Sequence, residues 1–290
     1  MRLFLLVSLT MCAFAANSIL ARMAIGSGHM DATGFGLLRL LSGAGMLVVL
    51  CRVRAVPLRQ PLRTSLGGGA ALTLYIAGFS IAYEALDAGL GALILFGVVQ
   101  ITMFLWGMLR GAPTSAAQLL GALLAFLGLA YVVWPAGGSA VTPGAALMMA
   151  AAGLGWGIYS LLGRGSREPL AATSVNFVFA SALMLPVVWL AGGGTVWSLW
   201  GAGLAVVSGA VTSGLGYALW YRVLPQLQPA VAATVQLCVP VIAILAGAAL
   251  LGEMIGLRLV FGTAAVLGGI ALVVLRAPQP DPRTGRRRAG

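Results

Sequence analysis

Ten long apolar stretches follow one another along the chain, and they restrict the possible folds more than any other feature of the sequence. Each is about 20 residues long, which at 1.5 Å per helical residue is enough to cross a hydrocarbon core about 30 Å thick. Hydrophobic residues make up 60% of the 290 positions and charged residues 8%. Because lipid offers no partner to backbone polar groups, the sequence predicts an all-α integral membrane protein with ten transmembrane helices.

Charged residues, glycine and proline separate the apolar stretches and define the expected limits of the helices. The loops between them are short, so no loop is expected to hold a folded domain. The predicted helices are 1–25, 32–51, 66–85, 88–109, 116–134, 144–162, 171–190, 199–221, 229–251 and 257–275.

The basic residues, all of them arginine, predict the orientation in the membrane. With the N-terminus in the cytoplasm, every arginine except Arg22, Arg39 and Arg258 falls on the cytoplasmic side, where membrane proteins concentrate positive charge. Both termini are therefore expected in the cytoplasm, and the membrane is expected to be the cytoplasmic (inner) membrane of a bacterium. The formal charge of +11 is explained by this topology, so the lipid bilayer is the expected partner and no nucleic acid is.

Two related stretches, GFSIAYEAL at 78–86 and GYALWYRVL at 216–224, indicate that the chain has two halves. Gly, Tyr and Leu match in register, whereas the charge changes from Glu84 to Arg222. Five helices per half would turn the second half upside down relative to the first, so each charge would lie on the expected side. This pattern predicts two inverted five-helix repeats, 1–135 and 136–277, followed by a disordered basic cytoplasmic tail, 278–290.

The second half carries features typical of a known family. It reads VQLCVPVIAILAGAALLGEMIGLRLVFGTAAVLGGIALVV, with a proline in the ninth helix, a Gly-Glu turn and a glycine that opens the tenth helix: Pro240, Gly252, Glu253 and Gly262. Together with Arg39 in the second helix, these residues resemble the drug/metabolite transporter superfamily, specifically its ten-helix members with two EamA-type domains. Within that superfamily the chain looks most like the YddG branch of aromatic amino acid exporters. The resemblance implies an exporter of amino acids, aromatic and other apolar ones included, and of related small metabolites, working by alternating access.

Amide side chains inside apolar stretches are the first candidates for a solute path, because burying them in lipid is costly. Asn17, Gln100 and Gln236 each offer a donor and an acceptor that suit the charged groups of a zwitterion. Gln100 and Gln236 occupy corresponding helices of the two predicted halves. The alternative is that these amides only hold neighbouring helices together.

Aromatic residues at helical spacing form the second candidate set. Tyr75 and Phe79 share a face of the third helix, and so do Trp156 and Tyr159 of the sixth; Tyr217 lies in the eighth. We expect these five residues to line a substrate cavity that receives apolar side chains. The alternative is packing, or, for residues near helix ends such as Tyr83, Tyr221, Trp134, Trp197, Trp200 and Trp220, an interfacial belt.

Four further residues are candidates for gating or hinge motion. Arg39 lies about two turns inside the second helix, where a charge needs water or a partner. One expectation is that its side chain extends outward to the interface. The other is that it attracts a carboxylate or forms a gate with an outer acid such as Glu84, Asp87 or Glu253. The hinge candidates are Gly155, Gly216 and Pro240, for which close packing is the alternative.

Several functional classes are excluded or left open. No Asp, Glu or His lies near the middle of a predicted helix, which predicts transport down the solute gradient, as in a uniporter. With one histidine, in a loop, and no HExxH or GxSxG motif, we expect no enzymatic activity, no cofactor and no metal. No obligate protein partner is evident. A drug or other metabolite efflux carrier, with or without proton coupling, and a non-transporting membrane scaffold stay open as alternatives.

Overall fold

The computed structural model describes residues 1–111, 114–134, 142–163, 166–192, 196–223, 226–227 and 235–275. The predicted tail, the predicted boundary between the halves at 135/136 and the predicted start of the ninth helix at 229 lie outside these residues. Across the described part the chain folds into helices joined by short turns, which confirms the all-α prediction.

Ten helices follow one another in the described part, and nine of them are long and apolar enough to cross a membrane, α9 being the shorter one. Their bounds are α1 Arg2–Ala21, continued by a π-helical turn Arg22–Gly26; α2 Ala32–Val53; α3 Leu62–Ala82; α4 Ala88–Leu109; α5 Ala116–Val133; α6 Pro143–Gly163; α7 Pro169–Leu190; α8, made of Leu199–Val206, a π-helical segment Val207–Leu215 and Gly216–Val223; α9 Cys238–Leu251; and α10 Leu257–Leu275.

Local side-chain chemistry explains where several helices begin. The carboxylate of Asp31 accepts the backbone N–H of Gly34 at 2.8 Å, and the hydroxyl of Ser198 accepts that of Gly201 at 3.0 Å. Ser115 begins α5 by a reciprocal pair of hydrogen bonds with Gln118. Each of these contacts satisfies a donor that the first turn would otherwise leave unpaired.

The third helix was predicted at the wrong limits. It begins at Leu62, earlier than the predicted 66, because Pro61 precedes it and its carbonyl accepts the hydroxyls of Thr64 and Ser65. It ends at Ala82, and the next residues form turns closed by backbone bonds such as that from the N–H of Leu86 to the carbonyl of Ala82.

Large apolar side chains face outward and small residues face other helices. On α5, Leu120, Leu123 and Phe126 are exposed, whereas Gly121 and Ala125 are buried. A Cβ at Gly121 would lie 2.6 Å from the carbonyl oxygen of Gly269 on α10. Small residues at helix contacts and large ones toward lipid are the arrangement expected in a membrane, where helices associate by close packing.

The helix contacts are related by exchanging each helix with the one five positions along the chain. Helices α2 and α7, α4 and α9, and α5 and α10 pack as direct pairs; α3 against α6 is matched by α8 against α1, and α3 against α7 by α8 against α2. Two structurally related halves would produce this pattern. The division at 135/136 itself stays a prediction.

The π-helical segment of α8 lies directly against the backbone of α2. A Cβ at Gly209 would overlap the carbonyl oxygen of Arg39 and the hydroxyl of Ser42. The regular helix predicted over 199–221 is therefore interrupted where it touches α2. Only glycine allows this approach.

We expect Gly209→Ala to lower the thermal unfolding midpoint of the detergent-solubilised protein by several degrees, because the added methyl costs about 1–3 kcal/mol of overpacking. Gly203→Ala, in the same helix, is the matched control, since nothing lies within 4 Å of a Cβ at that position. Equal midpoints for the two variants would show that α8 can move away from α2 without penalty.

Candidate functional site

Five aromatic rings from four helices meet near the middle of the bundle, and we call them the aromatic layer: Phe14, Tyr75, Phe79, Trp156 and Tyr217. The centroid of the Trp156 ring lies 5.0 Å from that of Tyr75 and 4.9 Å from that of Tyr217. The space between the rings is about 10 Å³, room for about one water molecule. Asn17, Ser18, Leu95 and Phe96 complete its lining. The layer therefore closes the centre of the bundle.

Two larger cavities lie at opposite ends of α1. One, of about 420 Å³, is lined by Met1, Arg2, Leu3, Leu6, Arg222 and Gln226 and is called the Arg2 cavity. The other, of about 430 Å³, is lined by Arg22, Gly26, Ser27, Asp87, Leu251, Gly252, Glu253 and Met254 and is called the Glu253 cavity. The aromatic layer lies between them along α1, because Phe14 and Asn17 are in the middle of that helix.

Arg39 is completely buried beside the aromatic layer. Its Nη2 donates to the Tyr75 hydroxyl at 3.0 Å, its Nε donates to Ser213 Oγ at 3.1 Å, and its guanidinium lies 4.8 Å from the centre of the Phe79 ring. The expectation that this side chain extends outward to the interface is therefore wrong. Among the described residues no carboxylate forms an ion pair with it, and its Nη1 has no hydrogen-bond partner.

Asn17 collects hydrogen bonds from the π-helical segment of α8. Its Oδ1 accepts the hydroxyls of Thr212 at 2.6 Å, Ser208 at 2.8 Å and Ser213 at 3.3 Å. Its Nδ2 donates to the carbonyl of Ala13 at 3.3 Å. Since Ser213 also accepts from Arg39, a continuous polar chain joins α2, α8 and α1 next to the layer.

The other predicted cavity residues lie outside this lining. Tyr159 packs on Trp156 with ring centroids 5.4 Å apart. Gln100 is half-buried one turn beyond Phe96 on α4, and Gln236 precedes α9. Phe14, Ser18, Leu95 and Phe96 were missed; a face of α1 at spacing 14, 17 and 18 was the available signal.

The three hinge candidates occupy different surroundings. A Cβ at Gly155 would lie 2.7 Å from the backbone nitrogen of Tyr75, so this glycine allows α6 to contact α3 beside the layer. Gly216 follows the last residue of the π-helical segment. Pro240 lies in the first turn of the described α9. Helical backbone at 235–236 is interrupted at Leu237, and Pro240 lacks the N–H that would bond to the carbonyl of Gln236 in a regular helix.

A charged network lies at the Glu253 cavity. Arg22 pairs with Asp87 at 3.6 Å and with Glu253 at 3.9 Å, and its Nη1 donates to the carbonyl of Tyr83 at 3.3 Å. Glu253 accepts the backbone N–H of Ala88 at 2.7 Å. The carboxylate of Glu253, in the loop before α10, therefore caps α4. Asp87 is the N-cap residue of α4, but its own side chain makes no capping hydrogen bond. The acids predicted as gate partners of Arg39 thus include two that pair with Arg22.

Burial raises the pKa of Glu253 above its ordinary value, and the hydrogen bond from Ala88 and the charge of Arg22 oppose that rise.

Two aromatic residues predicted at the interface are buried: Tyr83, whose hydroxyl donates to the carbonyl of Ala88 at 3.2 Å, and Trp220. Trp134, Trp197 and Trp200 are exposed.

Among the described residues, no group of three His, Cys, Asp or Glu side chains is placed to hold a metal.

Comparisons with known proteins agree with this architecture. Residues 143–275 match the EamA-like transporter family. An uncharacterized protein of Pseudomonas aeruginosa is 50% identical over 287 residues, which cover 98% of this chain and 96% of that protein. An uncharacterized transporter of Archaeoglobus fulgidus is 26% identical over 210 residues, covering 70% of this chain and 74% of its own. A protein of known crystal structure shares the fold, with a TM-score of 0.65 and 21% identity over 92% of this chain and 98% of its own.

We expect Asn17→Leu to lower the thermal unfolding midpoint by several degrees. It leaves the buried hydroxyls of Ser208 and Ser213 without their acceptor, at about 1–3 kcal/mol for each such group. Asn17→Asp keeps the oxygen acceptor and places a negative charge near Arg39, so its midpoint should stay much closer to that of the wild type. A midpoint for Asn17→Leu equal to the wild type would mean that the polar chain does not stabilise the bundle.

We expect the difference in thermal unfolding midpoint between Glu253→Gln and the wild type to change in favour of the variant as pH rises above about 4.5. A carboxyl whose pKa is raised by folding stabilises the folded state at low pH and loses that contribution as pH rises through the folded-state pKa. Thermal midpoints between pH 4 and 8 measure the difference, with Glu84→Gln, at an exposed position, as the control for removing a carboxylate. A stability difference that changes in favour of the wild type as pH rises from 4 to 8 would show that the pair with Arg22 outweighs burial.

Proposed function

We propose, from the match of residues 143–275 to the EamA-like transporter family, that this chain belongs to that family and exports amino acids, aromatic and other apolar ones foremost, and related small metabolites by alternating access. The observation that carries the proposal is the aromatic layer between two cavities of about 420 and 430 Å³ along α1. Rings of this kind bind apolar and aromatic side chains by stacking and by burial of apolar area. The nearby amide and hydroxyl groups suit the charged part of an amino acid.

Passage from one cavity to the other requires the layer to open. With room for about one water molecule, the layer does not admit an amino acid without movement of the helices that carry its rings, α1, α3, α6 and α8. The π-helical segment of α8 and the interruption before Pro240 are two places where a helix departs from regular geometry. They support the role of Gly216 and Pro240 as hinges in the exchange between inward- and outward-facing states.

The distribution of arginines supports the proposed orientation. Arg2 and Arg222 line one cavity, with no acid in its described lining, whereas Asp87 and Glu253 line the other together with Arg22. The proposal places the Arg2 cavity and both termini in the cytoplasm of a bacterial cell, so that export runs from the Arg2 cavity to the Glu253 cavity.

Energy coupling is proposed to be that of a uniporter, driven by the gradient of the solute. Within the ten described helices no Asp, Glu or His is present, whereas proton-coupled carriers usually keep a titratable group in the membrane core. A drug or metabolite efflux carrier coupled to protons is the second candidate. Glu253 is the observation in its favour, because its pKa is raised and it touches α4 and Arg22 at one mouth of the path.

We expect purified protein in liposomes to release preloaded radiolabelled phenylalanine, tryptophan and leucine faster than protein-free liposomes do, without a pH gradient. Trp156→Ala should slow this flux about tenfold, because it removes the ring at the centre of the layer. Trp200→Ala, at an exposed position, is the matched control.

Two results would contradict the proposal. Flux of cationic dyes without flux of any amino acid would favour the efflux carrier. Accumulation of solute against its own gradient, only in the presence of a pH gradient, would replace the uniport mechanism by proton coupling.

A further inference from the structure

Among the residues that the structure describes, Arg39 has no counter-charge. Among the described residues, ion pairs involve Arg22 only, and Arg39 reaches neutral partners, the hydroxyls of Tyr75 and Ser213 and the ring of Phe79. The guanidinium of arginine carries a positive charge in proteins. A buried charge without an opposite partner is costly, and a bound anionic group would offset that cost.

Tyr75 connects this charge to the aromatic layer. Its ring lies against Trp156, and its hydroxyl oxygen accepts a hydrogen bond from Arg39 at 3.0 Å. Because the guanidinium occupies a lone pair of this oxygen, the hydroxyl proton is available to an acceptor on another side, such as the Tyr217 hydroxyl or a bound solute. A hydroxyl polarised by a neighbouring cation is a stronger donor, and carboxylates are its best acceptors.

The charges at the cavities favour the same kind of solute. The Arg2 cavity has Arg2 and Arg222 in its described lining and no acid. In the Glu253 cavity the two acids already pair with Arg22. A solute that enters from the Arg2 cavity therefore meets positive charge first at the mouth and then behind the layer, which attracts a carboxylate and repels a cation.

We propose that the Arg39–Tyr75 pair selects solutes that carry a carboxylate, with the Tyr75 hydroxyl as the direct donor and Arg39 as the charge behind it. This inference rests on the proposed function and narrows its substrate class. The carboxylate makes the required contact, and the amino group is secondary. Arg39 acts through Tyr75 and is a positioning and charge-supplying residue.

The test is a binding panel on the purified full-length protein with three probes that share one ring. These are 3-phenylpropionate, which has only a carboxylate, phenethylamine, which has only an amine, and L-phenylalanine, which has both. Binding is followed as the rise of the thermal unfolding midpoint with ligand concentration. We expect the two carboxylates to bind the wild type at least about tenfold more tightly than phenethylamine.

Tyr75→Phe should reduce that preference about tenfold while keeping the ring, and Arg39→Gln should reduce it further. Tyr131→Phe, which removes the same hydroxyl from an exposed ring on α5, is the matched control. If Arg39→Gln fails to fold, Tyr75→Phe alone decides. A purely structural role would lower the midpoint without ligand and leave the ratio between carboxylate and amine unchanged.

The outcomes separate the two proposals. Binding of phenethylamine as tight as that of the carboxylates, or an unchanged preference in Tyr75→Phe, would overturn the carboxylate inference and leave transport of aromatic solutes in place. Binding of 3-phenylpropionate without L-phenylalanine would support it and contradict amino acids as the substrate. Binding of none of the three would overturn both.

Discussion

A guanidinium that water cannot reach determines the arrangement at the centre of this bundle. Arg39 comes from α2, but its hydrogen bonds go to Tyr75 on α3 and Ser213 on α8, and Ser213 passes the connection on to Asn17 of α1. These bonds offset part of the cost of burying the polar groups. Arg39, Tyr75, Ser213 and Asn17 therefore connect four helices through one chain of hydrogen bonds, and Tyr75 also belongs to the aromatic layer.

The π-helical segment of α8 is the backbone feature that allows this network. In a regular helix, residues 208 and 212 share a face and residue 213 is turned about 100° away from 212. A π-helix bonds residues five apart, so 208 and 213 come to the same side. Ser208, Thr212 and Ser213 consequently all reach the one oxygen of Asn17, and Gly209 between them allows α8 to touch α2.

The sequence predicted the helices and part of the site, and each success has a physical reason. Apolar length locates transmembrane helices because lipid excludes other backbone structures, and spacing along one helix brought Tyr75 and Phe79 to the same face. Gln100 and Gln236 were predicted from their amide groups and their corresponding helices, which say nothing about how a helix is rotated against its neighbours, and both lie outside the lining of the aromatic layer. The hydrogen bond of Arg39 to Ser213 depends on the π-helical register of α8, which the 3.6-residue period of a regular helix does not predict. The cap of α4 by Glu253 joins residues far apart in the chain, so local sequence does not predict it.

The aromatic layer also interrupts any continuous file of water across the bundle. Protons cross membranes along unbroken hydrogen-bonded water, and an apolar constriction with space for about one molecule breaks such a file. In this conformation the layer is therefore a barrier to protons along the path between the two cavities. A cell could hold many copies of it in the membrane without discharging the potential that drives its other transport.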